Sequence, residues 1–161
     1  MNWQAICDNP SFRDMPFKFE TDRWGKVVMS PATNRHSRYQ GLINRWLDRL
    51  LANGEAIPEC SIQTAEGVKV ADVVWASADF LHRHGLENPF SAAPEIVVEI
   101  LSPSNTLAEM EQKKELYFAQ GAQEFWICQE DGMMRFYNRH TRLDSSQLAS
   151  NFPAQLKLAF T

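Results

Sequence analysis

The sequence predicts an α/β domain with a mixed β-sheet flanked by helices, and three observations carry the prediction. Residues 38–51 place Tyr39, Leu42, Ile43, Trp46, Leu47, Leu50 and Leu51 at the helical period, one apolar stripe on one face. Residues 95–101 form a short apolar run rich in β-branched side chains, as expected of a strand covered on both sides. Thr106-Leu107-Ala108-Glu109 reads as a capping box opening a helix to Gln120, with Gly121 past its end and a further apolar strand at 122–129. Helix, two or three strands, helix, strand, strand is the order of a single α/β domain over 1–161.

The remaining elements follow in chain order. Residues 1–16 contain Pro10 and Pro16 and read as an irregular extension. Phe17-Lys18-Phe19-Glu20 alternates apolar with polar, Trp24-Gly25-Lys26 is a turn, and Val27-Val28-Met29 is a short strand stopped by Pro31. Asn53-Gly54 ends the first long helix. Residues 60–65 and 68–75 form a hairpin about Glu66-Gly67. Residues 76–94 are a long mixed connection with one helical turn near Phe80-Leu81. Asp131-Gly132 is a hairpin turn leading into a strand at 133–137. Leu156 to Phe160 alternates and reads as a last edge strand, so that extra hairpin strands close the C-terminal end.

Composition narrows the class. The chain has 161 residues, close to one domain of about 150. It is 44% hydrophobic and 22% charged, ordinary for a globular domain and unlike a disordered or fibrous chain. No apolar run approaches a membrane span, and the first residues lack a secretory leader's basic and apolar regions, so a cytoplasmic protein is expected. Cys7, Cys60 and Cys128 are odd in number and far apart, which predicts three reduced thiols and argues against a zinc ribbon. A net charge of −4 argues against coating nucleic acid by bulk attraction.

Two carboxylates stand where a purely structural chain would avoid them. Glu99 lies within Ile96-Val97-Val98-Glu99-Ile100-Leu101, and Asp72 within Val70-Ala71-Asp72-Val73-Val74. Acidic residues are depleted in strands and rarely buried unless paired. Set about 4 Å apart, the two would repel by roughly 4 kcal/mol at an effective dielectric near 20. A divalent cation would resolve that repulsion, since Mg²⁺ takes one or two carboxylates with waters and substrate phosphates. The structural alternative is pairing of each acid with a lysine or arginine. On the metal reading, Glu99→Gln in metal-free buffer relieves repulsion and does not lower stability. Lys113 and Lys114 lie on the following helix. Taking Leu107, Met110, Tyr117 and Phe118 as its buried face, Lys114 falls mid-face and Lys113 at the edge, from which an ammonium can reach the end of the sheet. A solvated Lys-Lys face is the plain alternative.

These residues also resemble a known family. Ile96-Val97-Val98-Glu99-Ile100-Leu101-Ser102-Pro103-Ser104 is similar to the signature VVEVLSPS. Lys113-Lys114-Glu115-Leu116-Tyr117, Gly121-Ala122 and Glu124-Phe125-Trp126-Ile127 resemble K-x-E-L-Y … G-V-x-E-Y-W. Val70-Ala71-Asp72-Val73-Val74 stands at R-P-D-V-V, and Phe19-Glu20, Val28-Met29-Ser30-Pro31 and His36 resemble Y-E-L … G-x-L-V-x-M-S-P … H. Together they resemble the Uma-two family of endonucleases, in the PD-(D/E)XK, restriction-endonuclease-like superfamily. Ala71 replaces that superfamily's proline, and Phe125 replaces a tyrosine.

The resemblance implies an αβββαβ core and a Mg²⁺- or Mn²⁺-dependent endonuclease acting on DNA. It implies a metal held by Asp72, Glu99 and the Ile100 carbonyl, with Glu20 nearby, and a cleft bordered by the long connection 76–94. Leu101 stands where the superfamily's E-x-K has lysine; the family's lysine lies on the next helix, at Lys113, with Lys114 as runner-up. The other reading is a binding or interaction module that keeps the nuclease fold, as a homodimer through a strand or hairpin edge, or a phosphodiesterase acting on small or RNA substrates. Weaker signals are His36 near the site, the row Arg38, Arg45 and Arg49 as a phosphate-facing strip or a solvated face, and His82-Arg83-His84 as solvent contacts.

Overall fold

The computed structural model describes residues 2–161. In chain order the elements are α1 (Trp3–Cys7), β1 (Phe17–Thr21), β2 (Val27–Pro31), α2 (Asn34–Leu50), β3 (Gly54–Thr64), β4 (Gly67–Ser77), α3 (Ala78–His84), β5 (Ile96–Ile100), α4 (Leu107–Ala119), β6 (Glu124–Cys128), β7 (Met134–Asn138) and β8 (Arg142–Leu143). Strands β3-β4-β5-β6-β7-β8 form one six-stranded sheet in that order, while β1 and β2 form a separate antiparallel hairpin. Among these strands only β5 and β6 run parallel; their crossover is α4, so the sheet is mixed as expected.

Helix α2 covers one face of the sheet, and α3 and α4 cover the other. Helix α2 begins one turn before the apolar stripe, because Thr33 caps it by accepting the His36 N–H. Its Tyr39, Ile43 and Leu47 pack on Val73, Trp75, Ile96, Val98, Ile100 and Trp126. On the opposite face Met110, Tyr117 and Phe118 of α4 and Phe80 of α3 pack on Val74, Val97, Phe125 and Ile127. The predicted capping box is present in both directions between Thr106 and Glu109. By strand alternation Ile96, Val98 and Ile100 serve the α2 face, and Glu99 follows Val97 toward α4.

Four expectations need correction. The first 16 residues are not wholly irregular: Asn2 caps α1, and Pro10 opens a 3-10 turn over Pro10–Phe12. The hairpin strands β3 and β4 are longer than expected, at eleven residues each. Residues 156–160 do not form a strand. Leu156 packs into the core, the backbone just before it makes only an isolated bridge between Gln155 and Met133, and Phe160 is fully exposed. The connection 76–94 carries α3, whose Phe80 stacks edge-on against Phe90, and it lies away from the cleft it was expected to border. The Asp131-Gly132 turn is as predicted; Gly132 has φ +84° and a Cβ there would collide with the Leu156 carbonyl.

Candidate active site

The site forms where two central strands part. β5 pairs with β4 only from Val73↔Val98 to Trp75↔Ile96. Continuing that register would set Asp72 opposite Glu99, and the ladder ends one residue before them. Their carboxylates fill the opening instead, and Asp72 Oδ2 accepts the Ile100 N–H at 2.7 Å. The N-terminal half of β4 is left with an open edge, which β1 closes with side chains. Thr21 Oγ1 accepts the Val68 N–H and Glu20 Oε1 the Val70 N–H, at 2.8 and 2.9 Å. Glu20 is thereby fixed beside the other two acids.

Helix α4 supplies the cation that the family pattern places there. Lys113 and Tyr117, at i and i+4, share one helix face. Lys113 Nζ lies 2.8 Å from Glu20 Oε1 and 3.2 Å from Glu99 Oε1, and Tyr117 donates its hydroxyl to the same Glu99 oxygen at 2.9 Å. Lys114 turns elsewhere, pairing with Glu111 and resting over the Tyr137 ring. Its mid-face position is resolved by that aromatic contact, with the head paired at the surface. His36, from the first turn of α2, sets Nε2 3.2 Å from Asp72 Oδ1. Gln40 holds the Asp72 carbonyl at 2.8 Å.

Sequence reasoning missed the residue at the centre. Lys18 Nζ lies 3.0 Å from Asp72 Oδ1, 3.3 Å from Glu99 Oε2 and 3.8 Å from Glu20 Oε1. The signal was the alternation of Phe17-Lys18-Phe19-Glu20: if Glu20 faces a site, Lys18 two residues earlier faces it too. The aromatic face, which looks like the buried one, is turned outward, with Phe17 40% exposed and Phe19 stacked on Phe12.

The clustered charges shift the protonation of Asp72, Glu20, Glu99, Lys18 and His36. Burial opposes the charge on Asp72, but Lys18, His36 and the Ile100 N–H outweigh it and hold this carboxyl far below the usual range. Burial likewise opposes Glu20, which Lys113 and Lys18 bring below its ordinary value. At Glu99 burial prevails: the lysines offset it only in part, Asp72 and Glu20 add to it, and its carboxyl is raised. Lys18 is held well above the ordinary lysine value by the three acids, against its burial. Asp72 also raises His36, against that residue's burial.

These groups border a cavity of about 370 Å³. Its walls come from residues 28–32 of the hairpin and from 102–112, between β5 and the first half of α4. Lys69 lines it as well, with its ammonium on the Thr21 carbonyl at 3.0 Å. Among the described residues no three His, Cys, Asp or Glu side chains gather closely enough to hold a metal ion by themselves. Asp72 and Glu99 nevertheless direct one oxygen each at a common point, where the Lys18 ammonium sits. Hard carboxylate oxygens on one point are the donor chemistry that Mg²⁺ and Mn²⁺ prefer. The donor set therefore fits such an ion once that ammonium moves aside.

The other sequence signals resolve into structure. His84 pairs with Glu87 at 3.0 Å at the surface, Arg49 stacks on Trp46, and Arg38 holds the Ala159 carbonyl. Trp126 is wholly buried against Phe136 and Phe152. Glu124, which the family pattern also includes, is remote from the cavity's acids: it accepts hydrogen bonds from Trp126, Ser146, Gln147 and Leu148 and so ties the C-terminal segment to β6.

A mixed sheet between helices, opening over paired strand acids, is a nuclease-like α/β architecture. A solved structure described as a "putative nuclease belonging to DUF820 from Anabaena variabilis ATCC 29413" shares it with a TM-score of 0.74. The two are 16% identical over 96% of this chain and 94% of that one, a likeness that establishes the fold. No curated protein matches. The model of the Uma2 family, described as "Putative restriction endonuclease", matches residues 10–158, and the chain belongs to that family. The resemblance to this family read from the motifs is thus borne out. Among the described residues no helix is long and apolar enough to cross a membrane.

Proposed function

We propose that this protein is a divalent-metal-dependent endonuclease that hydrolyses phosphodiester bonds in DNA. The observation that carries the reading is the convergence of Glu20, Asp72, Glu99 and Lys113, from β1, β4, β5 and α4, on one cavity. Asp72, Glu99 and the Ile100 carbonyl would hold Mg²⁺ or Mn²⁺. An ion bound there supplies polarisation of a phosphodiester oxygen and a water of lowered pKa. Lys113, on the rim of the acid pair, orients the attacking water and offsets charge that develops on the phosphate. Glu20 holds Lys113 in place and orients a second water or ion. Tyr117 fixes the Glu99 carboxylate, and His36 fixes that of Asp72. With a net charge of −4, binding of DNA depends on local cations at the cleft rather than on overall attraction.

The test is cleavage of supercoiled plasmid with Mg²⁺ or Mn²⁺. Wild type should nick it, chelator should stop it, and Asp72→Asn and Lys113→Ala should each abolish it. Cleavage that survives both substitutions overturns the reading. In parallel, Mg²⁺ should raise the melting temperature of wild type and not of Asp72→Asn.

A second reading, a binding module with no turnover, has one observation in its favour. Lys18 already bridges the acid pair without a metal ion. Wild type that neither shifts its melting temperature with Mg²⁺ or Mn²⁺ nor nicks plasmid would favour it.

A further inference from the structure

The geometry points to Lys18 as a tethered counter-ion that occupies the metal position, so that a divalent cation binds by exchange: the Lys18 ammonium leaves as the ion enters. The inference rests on the metal-site reading of Asp72 and Glu99 and adds to it a residue the family pattern does not name.

The reasoning is one of space and charge. Lys18 Nζ lies 3.0 Å from Asp72 Oδ1 and 3.3 Å from Glu99 Oε2, on the point to which both oxygens are directed. Mg²⁺ contacts its oxygens at about 2.0–2.1 Å, so an ion shared by these two carboxylates leaves no room for an ammonium between them. Charge leads to the same result. Three acids, Glu20, Asp72 and Glu99, face two lysines, Lys18 and Lys113, with His36 on Asp72. The cluster is close to balanced as it stands, and a dication added beside both lysines would leave the buried centre positively charged, which is costly.

Lys18 is also the member best placed to move. Its strand belongs to the two-stranded hairpin, outside the six-stranded sheet. The hairpin reaches β4 through the side chains of Glu20, Thr21 and Lys69. Lys18 lines a second cleft beside the first, shared with Glu59, whose carboxylate has no cationic partner among the described residues. The released ammonium has a carboxylate-bearing cleft to enter. Lys113, by contrast, is fixed by Glu20 and Glu99 at the rim of the site and stays.

Two measurements test the exchange without reference to cleavage. Mn²⁺ binding is followed by calorimetry on wild type, Lys18→Met and Lys18→Gln. If Lys18 fills the site nine-tenths of the time, either variant should bind about tenfold more tightly. Separately, wild type is treated with an amine-acetylating reagent and peptides are quantified by mass spectrometry. Acetylation of Lys18 should be slow in chelator and rise severalfold in saturating Mn²⁺, with that of Lys26 unchanged. Equal or weaker Mn²⁺ binding in both variants, or Lys18 acetylation indifferent to Mn²⁺, overturns the inference. The labelling arm needs no variant and stands if neither substitution folds. Failure of the two readings is distinguishable. Exchange without plasmid cleavage removes the endonuclease and keeps Lys18 as counter-ion. Cleavage with Mn²⁺ binding unaltered by either variant does the reverse. No Mn²⁺ binding in wild type or variants removes both.

Discussion

Glu99→Gln in metal-free buffer separates two views of the buried acids. On the sequence alone, removal of one charge relieves repulsion and costs nothing. In the structure Glu99 is 1% exposed and accepts from three donors, Tyr117 and Lys113 on one oxygen and Lys18 on the other. A glutamine oxygen can keep the first two. Its amide then turns N–H donors toward the Lys18 ammonium and loses one hydrogen bond to a charged group, worth about 1.5–3 kcal/mol. Relief of repulsion from Asp72 and Glu20, and of the burial that raises the Glu99 carboxyl, returns part of this. The net cost is about 2 kcal/mol, below the roughly 3–5 kcal/mol for removing one partner of a buried pair outright. In a chain of this length that lowers the melting temperature by roughly 4–8 °C. Urea unfolding with chelator should show a lower midpoint at unchanged slope. A midpoint equal to or above that of wild type would refute the view that the two lysines, rather than an absent ion, hold the acids together.

Three further outcomes are expected. Glu124→Ala strips the acceptor from four donors and should cost at least about 3 kcal/mol in urea unfolding, while Mn²⁺ binding is kept; loss of binding at retained stability would tie Glu124 to the site instead. Burial pushes the Cys60 and Cys128 thiols up to about 12, so Ellman's reagent at pH 8 should titrate only the exposed Cys7 in folded protein and all three in denaturant. The Ser91 N–H, then His84 and the Ser91 hydroxyl, lower the Glu87 carboxyl to about 2. A depressed carboxyl stabilises above its unfolded value and loses that contribution as pH falls toward its folded one. The stability gap between wild type and Glu87→Gln should therefore be smaller at pH 3 than at pH 7, and a gap independent of pH would exclude the linkage.

How far the sequence could be read depended on where the signal lay. Elements stabilised by their own pattern were legible: the α2 stripe, the Thr106–Glu109 box and the apolar β5 run all appear within a few residues of expectation. Glu99 and Asp72 were legible because burial makes an acid conspicuous. Segments whose conformation is set by distant contacts were not. Leu156–Phe160 alternates like a strand, yet Leu156 is drawn into the core beside the Gly132 turn and no neighbouring strand offers a ladder. The first turn of α2 carries no apolar repeat, so only its Thr33 cap marks it.

Lys18 shows why the site itself was only half visible. A lysine between two phenylalanines reads as the solvent face of a strand, since apolar residues are expected inward. That expectation holds for a strand that is part of the core sheet. β1 instead lies over the open edge of β4, where backbone N–H groups of Val68 and Val70 require acceptors. Polar side chains satisfy them and aromatic ones cannot, so the polar face turns in. The same requirement that sets Glu20 on the Val70 N–H sets Lys18 two residues away, over the gap where β4 and β5 part. A cation at that gap is a consequence of how the edge is closed, as is Glu20, while the position of Asp72 and Glu99 follows from the ladder ending one residue short.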